Sequence, residues 1–284
     1  MFELALNPKS SKAVIFNNDD LAEKEQMKIE NNKWLEENAS DVYIESKKLR
    51  LHSYEVKAEK ESKVWVIAVH GYTDSAYFMV GAAKKFLHYG YNVLMPDLRA
   101  HGKSEGKYIG MGWLDRLDLM QWIDYLIATY GNIKIILYGI SMGAATVMMA
   151  SGERLPSNVR AIIEDCGYTS VWDIFESELD KRFSLPTFPV LNISNGVAKL
   201  KAGYDFKEAS SVDQLKKCQK PMLFIHGGKD DFVPTYMVYE VYDAANCEKD
   251  LYIVDEAGHA EAKDCDVDAY WNKVFSFINE KMDI

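Results

Sequence analysis

A serine at the sharp turn between an apolar run and a helix-forming segment is the most reactive arrangement in this sequence. The turn is Gly139-Ile140-Ser141-Met142-Gly143, preceded by apolar residues 133–138 and followed by a helix-forming segment at 144–149. A G-x-S-x-G turn holds its hydroxyl on a strained backbone above the end of a strand, and the glycines leave room for neighbouring segments. A serine at such a turn can also be only a helix cap. The residues downstream favour a nucleophile.

A serine hydroxyl is a weak nucleophile at neutral pH, so it needs an imidazole that takes its proton and a carboxylate that orients the imidazole. Both follow later apolar runs: Asp230 comes after residues 222–225, and His259 comes after residues 251–254. The chain order is serine, aspartate, histidine, each at the carboxyl end of a strand, where open α/β sheets place their sites. We therefore predict that Ser141 is a nucleophile and that His259 is its base.

Five motifs in a fixed order carry a resemblance to a known family. From about Lys63 to the C terminus the sequence resembles the α/β-hydrolase family, and within it the lid-bearing esterases and the S33-type hydrolases grouped with serine aminopeptidases. The motifs are His70-Gly71-Tyr72, the segment Asp97 to Ser104, the serine turn, His226-Gly227-x-x-Asp230 and Gly258-His259. Their shared order is more specific than any one of them.

The resemblance implies the remaining catalytic groups. It assigns the acid to Asp230, with Asp165 at the end of another strand as the reserve, because some members of the fold use that position. It also implies that the backbone N–H groups of Tyr72 and Met142 form the oxyanion hole, which binds the charge that develops on the substrate oxygen.

The other histidines and the glycine-rich turns have simpler interpretations. The family motifs suggest that His70, His101 and His226 brace loops by hydrogen bonding, and His52 and His88 have the pattern of surface residues. No histidine pair or cysteine–histidine cluster has the spacing of a zinc site, so we expect no metal and no cofactor. The Gly102-Lys103-Ser104 sequence lacks the first glycine of a phosphate-binding loop, which argues against nucleotide binding.

Apolar runs alternate with helix-forming segments from Val64 onwards. This alternation predicts an α/β fold with a mostly parallel central sheet covered by helices on both faces. Two short strands near residues 42–54 are expected to be antiparallel at the sheet edge. Residues 1–40 are interpreted as an N-terminal helical extension, with a helix at 20–38 capped by Asp19 or Asp20. We expect one domain over residues 1–284.

Residues 168–211 interrupt the alternation, because they separate two core strands by more than a usual connection. We interpret this segment as a lid insertion. Its aromatic residues could form a substrate pocket and exclude water, and the candidates are Trp172, Phe175, Phe183 and Phe188. Its acidic residues could attract an amine, although a solvated helix face is the simpler reading; they are Asp173, Glu176, Glu178 and Asp180.

Composition limits the partners. The net charge is −10 and the pI is near 5.2, which argues against nucleic acid and against electrostatic binding to anionic lipid. No run is long enough to span a membrane, and the N terminus lacks the basic start of a signal peptide. The four cysteines lack C-x-x-C spacing and are expected to be free thiols. We expect a cytoplasmic protein, and the sequence does not specify its oligomeric state.

The favoured function is a serine hydrolase that cleaves small to medium carboxylic esters through an acyl-enzyme on Ser141. The alternative is a serine peptidase, similar to an aminopeptidase, that acts on amides. A non-catalytic ligand-binding protein is the third hypothesis, although no catalytic position in the sequence is degenerate. The substrate in the first two hypotheses is a small molecule.

Overall fold

Eight strands form one sheet in the computed structural model, which describes residues 1–12 and 21–282. Along the chain they are β1 Ser40–Ser46, β2 Leu49–Val56, β3 Val64–Val69, β4 Asn92–Pro96, β5 Lys134–Ile140, β6 Val159–Asp165, β7 Met222–Gly227 and β8 Lys249–Val254. Across the sheet the order is β1-β2-β4-β3-β5-β6-β7-β8. The six strands from β4 to β8 in this order pair in parallel. The predicted α/β architecture is confirmed.

The predicted pair of edge strands is also confirmed. β1 pairs antiparallel with β2, and β2 pairs antiparallel with β4. β2 is therefore covered on both edges, and its residues from Leu51 to Val56 are all buried. This burial changes the environment of His52, as described below.

Helices cover the sheet and connect its strands. They are α1 Phe2–Leu6, α2 Leu21–Asn38, α3 Val80–His88, α4 Asp115–Tyr130, α5 Met142–Ser151, α6 Val171–Phe183, α7 Thr187–Lys201, α8 Ser211–Leu215, α9 Tyr236–Ala244, α10 Ala262–Cys265 and α11 Val267–Met282. A 3₁₀ turn, Ala76–Met79, directly precedes α3. No helix in the described part of the chain is long and apolar enough to cross a membrane.

Two apolar layers lie on opposite faces of the sheet. Alternate side chains of β5 divide between them: Ile135 and Leu137 pack in one layer, and Ile136 and Tyr138 pack in the other. A strand whose successive side chains are all buried must be covered on both faces. Burial on both faces of the sheet explains the continuous apolar runs of the sequence.

The N-terminal segment contains a helix that the sequence did not predict. The buried residues of α1, including Phe2 and Leu6, pack into the same apolar layer as Ile135. The helix predicted at 20–38 is present as α2. Its proposed caps, Asp19 and Asp20, lie outside the described residues.

The two ends of segment 168–211 lie next to each other. Ser170 and Ser210 form an isolated antiparallel bridge at its two ends, and each caps the helix that follows it. Between them lie α6 and α7, with a non-helical residue, Phe188, inside α7. We call residues 168–211 the insertion; its action as a lid stays a prediction.

Candidate active site

Ser141 lies between β5 and α5 on a backbone that ordinary residues avoid. Its φ is 57° and its ψ is −117°. Its N–H donates to the carbonyl of Asp165 at 2.8 Å, which ties the turn to the end of β6. The buried neighbours of Ser141 leave it 7% exposed. A strained backbone held in this way fixes the direction of the hydroxyl.

The glycines of the turn are required by close packing. A Cβ at Gly143 would lie 2.1 Å from the carbonyl oxygen of Val69, and a Cβ at Gly139 would lie 2.3 Å from the carbonyl oxygen of Gly143. Because α5 starts so close to β5 and β3, only glycine fits at these two positions.

Ser141, His259 and Asp230 form one chain of hydrogen bonds. The Nε2 atom of His259 lies 2.9 Å from Oγ of Ser141. The Nδ1 atom of His259 lies 2.8 Å from Oδ2 of Asp230. With Nδ1 protonated and donating to the carboxylate, Nε2 is free to accept the serine proton. The arrangement can therefore transfer a proton from Ser141 to His259.

Asp230 is held as a buried anion. Its Oδ1 accepts the backbone N–H groups of Phe232 and Val233 at 3.0 and 2.9 Å, and His226 Nε2 lies 3.3 Å from its Oδ2. Burial raises the pKa of Asp230, but hydrogen bonds from His226 and His259 outweigh that effect and leave the pKa at about 2. The carboxylate stays ionised at neutral pH and keeps the His259 ring oriented.

Asp165, the reserve acid, and Asp231, the neighbour of Asp230 in the sequence, are bonded elsewhere. Asp165 is fully buried, and its Oδ2 accepts the hydroxyl of Tyr270 at 2.7 Å. Asp231 is exposed and pairs with Lys181 at 2.9 Å. The structure therefore joins Asp230 to His259 and leaves neither alternative in its hydrogen-bond chain.

The proposed oxyanion groups flank Ser141. Met142 is the first residue of α5, where backbone N–H groups have no acceptor within the helix. Gly71, which precedes Tyr72, approaches so closely that its added Cβ would lie 3.4 Å from Cβ of Ser141. The ring of His70 links this loop to the next one, since it lies 2.8 Å from the carbonyl of Gly71 and its Nε2 accepts the N–H of Leu98 at 3.0 Å.

A cavity of about 160 Å³ opens beside Ser141. Tyr72 and Met142 also belong to its wall. Most of the other wall residues are apolar, and they come from α1, the insertion and two loops: Met1, Leu4, Ala5, Met111, Tyr168, Ile174, Phe175, Glu178, Leu179, Arg182, Phe183, Leu185, Val190 and Phe232. An apolar cavity of roughly 150 Å³ can hold a benzene-sized group.

The structure brings two of the four predicted pocket aromatics to this cavity. Phe175 and Phe183 line it. Trp172 does not, because it turns away and packs under Nζ of Lys207, 4.2 Å from the ring centre. Phe188 does not either, because it lies at the break in α7 and is 75% exposed. The lining residues Phe175, Leu179 and Arg182 share one face of α6, and Trp172, three residues before Phe175, lies in the first turn of that helix.

The sequence analysis did not predict an ion pair that lies within the cavity wall. Arg182 donates through Nε to Oε2 of Glu178, while Oε1 of Glu178 is buried without a hydrogen-bond partner among the described residues. Burial raises the pKa of Glu178 despite the nearby Arg182. Of the four acidic residues singled out in the insertion, only Glu178 lines this cavity. The spacing of Glu178 and Arg182, four residues apart on a helix, was the signal in the sequence that could have indicated this ion pair.

His52, predicted to lie on the surface, is fully buried. Its Nδ1 lies 2.7 Å from Oδ2 of Asp97, and its Nε2 lies 2.7 Å from Oδ1 of Asp41. The prediction was wrong because β2 lies between β1 and β4, so that Asp41 of β1 and Asp97 after β4 flank the ring and Tyr43 and Tyr54 pack against it. Asp97 in turn accepts the backbone N–H of Ala76 and that of Lys103, each at 2.9 Å.

One group of side chains near the site has the atom types of a metal site. Ligand atoms of Cys166, Asp230 and His259 lie within 4.8 Å of one another. However, both nitrogens of His259 are already bonded to Ser141 and Asp230, and burial raises the pKa of the Cys166 thiol, which opposes the thiolate that a metal needs. The absence of a metal and a cofactor stays a prediction.

The loops that carry Asp230 and His259 touch backbone to backbone. An added Cβ at Gly227 would lie 2.4 Å from the carbonyl oxygen of Ala257, and one at Gly228 would lie 2.6 Å from that of Asp255. Both loops follow adjacent parallel strands, β7 and β8. Their relative position is thus fixed by the main chain and does not depend on side chains.

Comparison with known proteins gives consistent similarities. Residues 60–177 match the family model described as serine aminopeptidase, S33. The uncharacterised protein YqkD of Bacillus subtilis is 29% identical over 237 residues, which cover 82% of this chain and 78% of that protein.

Two solved structures indicate the range of activities found among similar folds. The Pyrococcus furiosus esterase Pf2001 has a TM-score of 0.72 and 25% identity, and the match covers 88% of this chain and 94% of the esterase. An acylaminoacyl peptidase of Pyrococcus horikoshii has a TM-score of 0.60 and 18% identity, covering 88% of this chain and 43% of the peptidase. Because these similar proteins include both an esterase and a peptidase, similarity alone does not distinguish ester from amide substrates.

Proposed function

We propose that this chain, a serine hydrolase with the α/β-hydrolase fold, cleaves small to medium carboxylic esters through an acyl-enzyme on Ser141. The observation that carries the proposal is the hydrogen-bond chain from Ser141 through His259 to Asp230, with bonds of 2.9 and 2.8 Å. This chain borders an apolar cavity, which suits an uncharged acyl group.

In the first step, the Ser141 oxygen attacks the ester carbonyl while His259 Nε2 takes the serine proton. The carbonyl oxygen becomes an anion, which the backbone N–H groups of Met142 and Tyr72 would stabilise. When the tetrahedral intermediate collapses, the bond to the alcohol oxygen breaks and His259 returns its proton to that oxygen. The products are the free alcohol and an ester between the acyl group and Ser141.

In the second step, water replaces the alcohol. His259 accepts a proton from the water, the resulting oxygen nucleophile attacks the acyl carbon, and the same oxyanion groups bind the second intermediate. Collapse returns the proton to Ser141 and releases the carboxylic acid. Asp230 remains ionised throughout, because its pKa of about 2 lies far below neutral pH.

A labelling experiment tests the proposal directly. The wild-type protein is expected to react with a fluorophosphonate probe at Ser141 and to hydrolyse short p-nitrophenyl esters. The Ser141→Ala variant should do neither, since it lacks the attacking oxygen. A wild-type protein that is folded but inert to both the probe and the ester panel would contradict the proposal.

A peptidase that acts on amides is the second candidate. It is favoured by the partnerless Oε1 of Glu178 in the cavity wall, which could accept a hydrogen bond from a substrate amine, and by the match to the serine aminopeptidase model. A panel of aminoacyl amides separates the two candidates: turnover there that fails in the Glu178→Gln variant would favour the peptidase, and ester turnover without amide turnover would exclude it.

A further inference from the structure

A face of α1 forms part of the cavity wall beside the serine. Met1, Leu4 and Ala5 line the same cavity as Ser141. Their spacing puts them on one side of a helical turn, while Phe2 and Leu6 are buried in the apolar layer of the sheet. The helix is thus anchored on one side and faces the cavity on the other.

Hydrogen bonds from three places hold α1 against the body. The hydroxyl of Tyr72 donates to the carbonyl of Ala5 at 2.6 Å. The N–H of Ile109 donates to the carbonyl of Leu6 at 2.9 Å. The ammonium of Lys12 donates to the carbonyls at the end of the helix, among them that of Asn7 at 3.1 Å. A wall held at these points has a defined distance from Ser141.

The insertion also contacts this helix. Nζ of Lys201, the last residue of α7, lies 3.2 Å from Oε1 of Glu3 and 5.6 Å from the ring centre of Phe2. The cavity is therefore closed on one side by α1 and on another by α6, whose residues Phe175 and Leu179 line it. The two walls are joined through α7.

The position of His259 identifies which part of the substrate meets α1. The alcohol oxygen must face His259, because that residue returns a proton to it. His259 is not among the residues that line this cavity, whereas Ser141 and the proposed oxyanion residues Tyr72 and Met142 are. The carbonyl therefore lies at the mouth of the cavity, with the acyl chain pointing inwards.

We propose that α1 sets the length of the acyl group that this enzyme accepts, with Ala5 as the residue that limits it. The inference rests on the proposed ester hydrolysis and adds its chain-length preference. Ala5 has only a methyl group at the wall, so its replacement by a larger apolar side chain takes space from the substrate. Truncation of Leu4 has the opposite effect, because it adds space to the cavity.

The test measures kcat/KM for p-nitrophenyl esters from acetate to octanoate. Each methylene that loses its apolar site costs about fourfold. The isobutyl group of Ala5→Leu is expected to reduce kcat/KM for hexanoate roughly 50-fold relative to acetate. Leu4→Ala is expected to shift the optimum to longer acyl chains. Lys9→Leu, which places the same leucine side chain at an exposed position just beyond α1, is the matched control. It should keep the wild-type dependence of kcat/KM on acyl length.

The outcomes separate this inference from the proposed function. Wild-type protein without ester turnover or probe labelling contradicts the proposed function itself. If the wild-type protein is active, two results for Ala5→Leu would overturn the role of α1. One is an equal loss of activity for all acyl lengths, and the other is a changed preference among alcohols at constant acyl length. Retained acetate turnover in Ala5→Leu demonstrates that the variant is folded.

Discussion

Two histidine–aspartate pairs occur in this molecule with nearly the same internal distance. In one, His259 Nδ1 lies 2.8 Å from Asp230; in the other, His52 Nδ1 lies 2.7 Å from Asp97. The partner of the second ring nitrogen differs between the two pairs. Nε2 of His259 contacts the hydroxyl of Ser141, and Nε2 of His52 contacts the carboxylate of Asp41. The His259 side chain is 21% exposed, and that of His52 is fully buried.

This difference separates a catalytic pair from a structural one. His259 has a nitrogen that can accept a proton, and its partner Ser141 lines a cavity that can admit a substrate. His52 has both nitrogens against carboxylate oxygens and no path to a ligand, so its ring joins β1, β2 and the loop after β4. A histidine–aspartate contact alone therefore does not identify a base; the partner of the second nitrogen does.

The largest expected effect is at the base. His259→Gln should lower kcat by about 10⁶-fold, because the side chain that accepts the serine proton is absent. Ester hydrolysis measured at saturating substrate checks this. A loss below about 100-fold would mean that another group takes the proton, and the contrast between the two histidines would fail.

Asp230→Asn should lower kcat by about 10⁴-fold, because an amide can donate to His259 and select the wrong tautomer. Its matched control is Asp97→Asn, the same substitution in the buried pair, where turnover per folded molecule should remain within a few-fold of wild type. The urea-unfolding transition of each variant supplies its folded fraction, because labelling by the fluorophosphonate probe itself depends on the activated serine. Equal losses in both variants would contradict the distinction.

His52→Gln should reduce stability and leave chemistry nearly intact. Removing a hydrogen-bond donor from the buried Asp97 carboxylate costs about 3 kcal/mol of unfolding free energy, because Asp97 keeps only its backbone donors. Urea unfolding monitored by tryptophan fluorescence measures the cost, and kcat of the folded fraction should change by no more than about threefold. Normal stability with impaired turnover would reverse the assignment.

The smallest expected effect concerns acid stability. The folded pKa of Asp230, about 2, lies below its ordinary value of 3.8, so the unfolded chain binds the proton more readily. The stabilisation is fully present above pH 3.8 and is lost as the pH falls through 2, a loss of about 2 kcal/mol. The wild-type free energy of unfolding, minus that of Asp230→Asn, should shrink over this interval. A constant difference would be evidence against the buried anion.

The sequence predicted the elements that depend on local patterns. The apolar runs gave the strands, and the order of Ser141, Asp230 and His259 indicated side chains that the structure brings into one hydrogen-bond chain; their catalytic role stays a prediction. These residues directly follow strands of a parallel sheet, so strand order alone brings them to one edge.

The features that were missed depend on contacts between distant segments. The burial of His52 results from the pairing of β2 with β4, which an alternating strand pattern does not reveal. Phe183 lines the cavity and Phe188 does not, although both are aromatic residues of one insertion, because the break in α7 turns the second outward. The cavity wall from α1 arises from a five-residue helix too short to give a periodic signal.

The contact of Gly227 and Gly228 with the chain before His259 limits how this protein can be recombined with its relatives. The main chains of the two loops fit each other without intervening side chains, so a chimera that takes one loop from another hydrolase inherits a mismatch no rotamer can repair. Residues 222–259 should be exchanged as one block if libraries of hybrid enzymes are to retain a working proton relay.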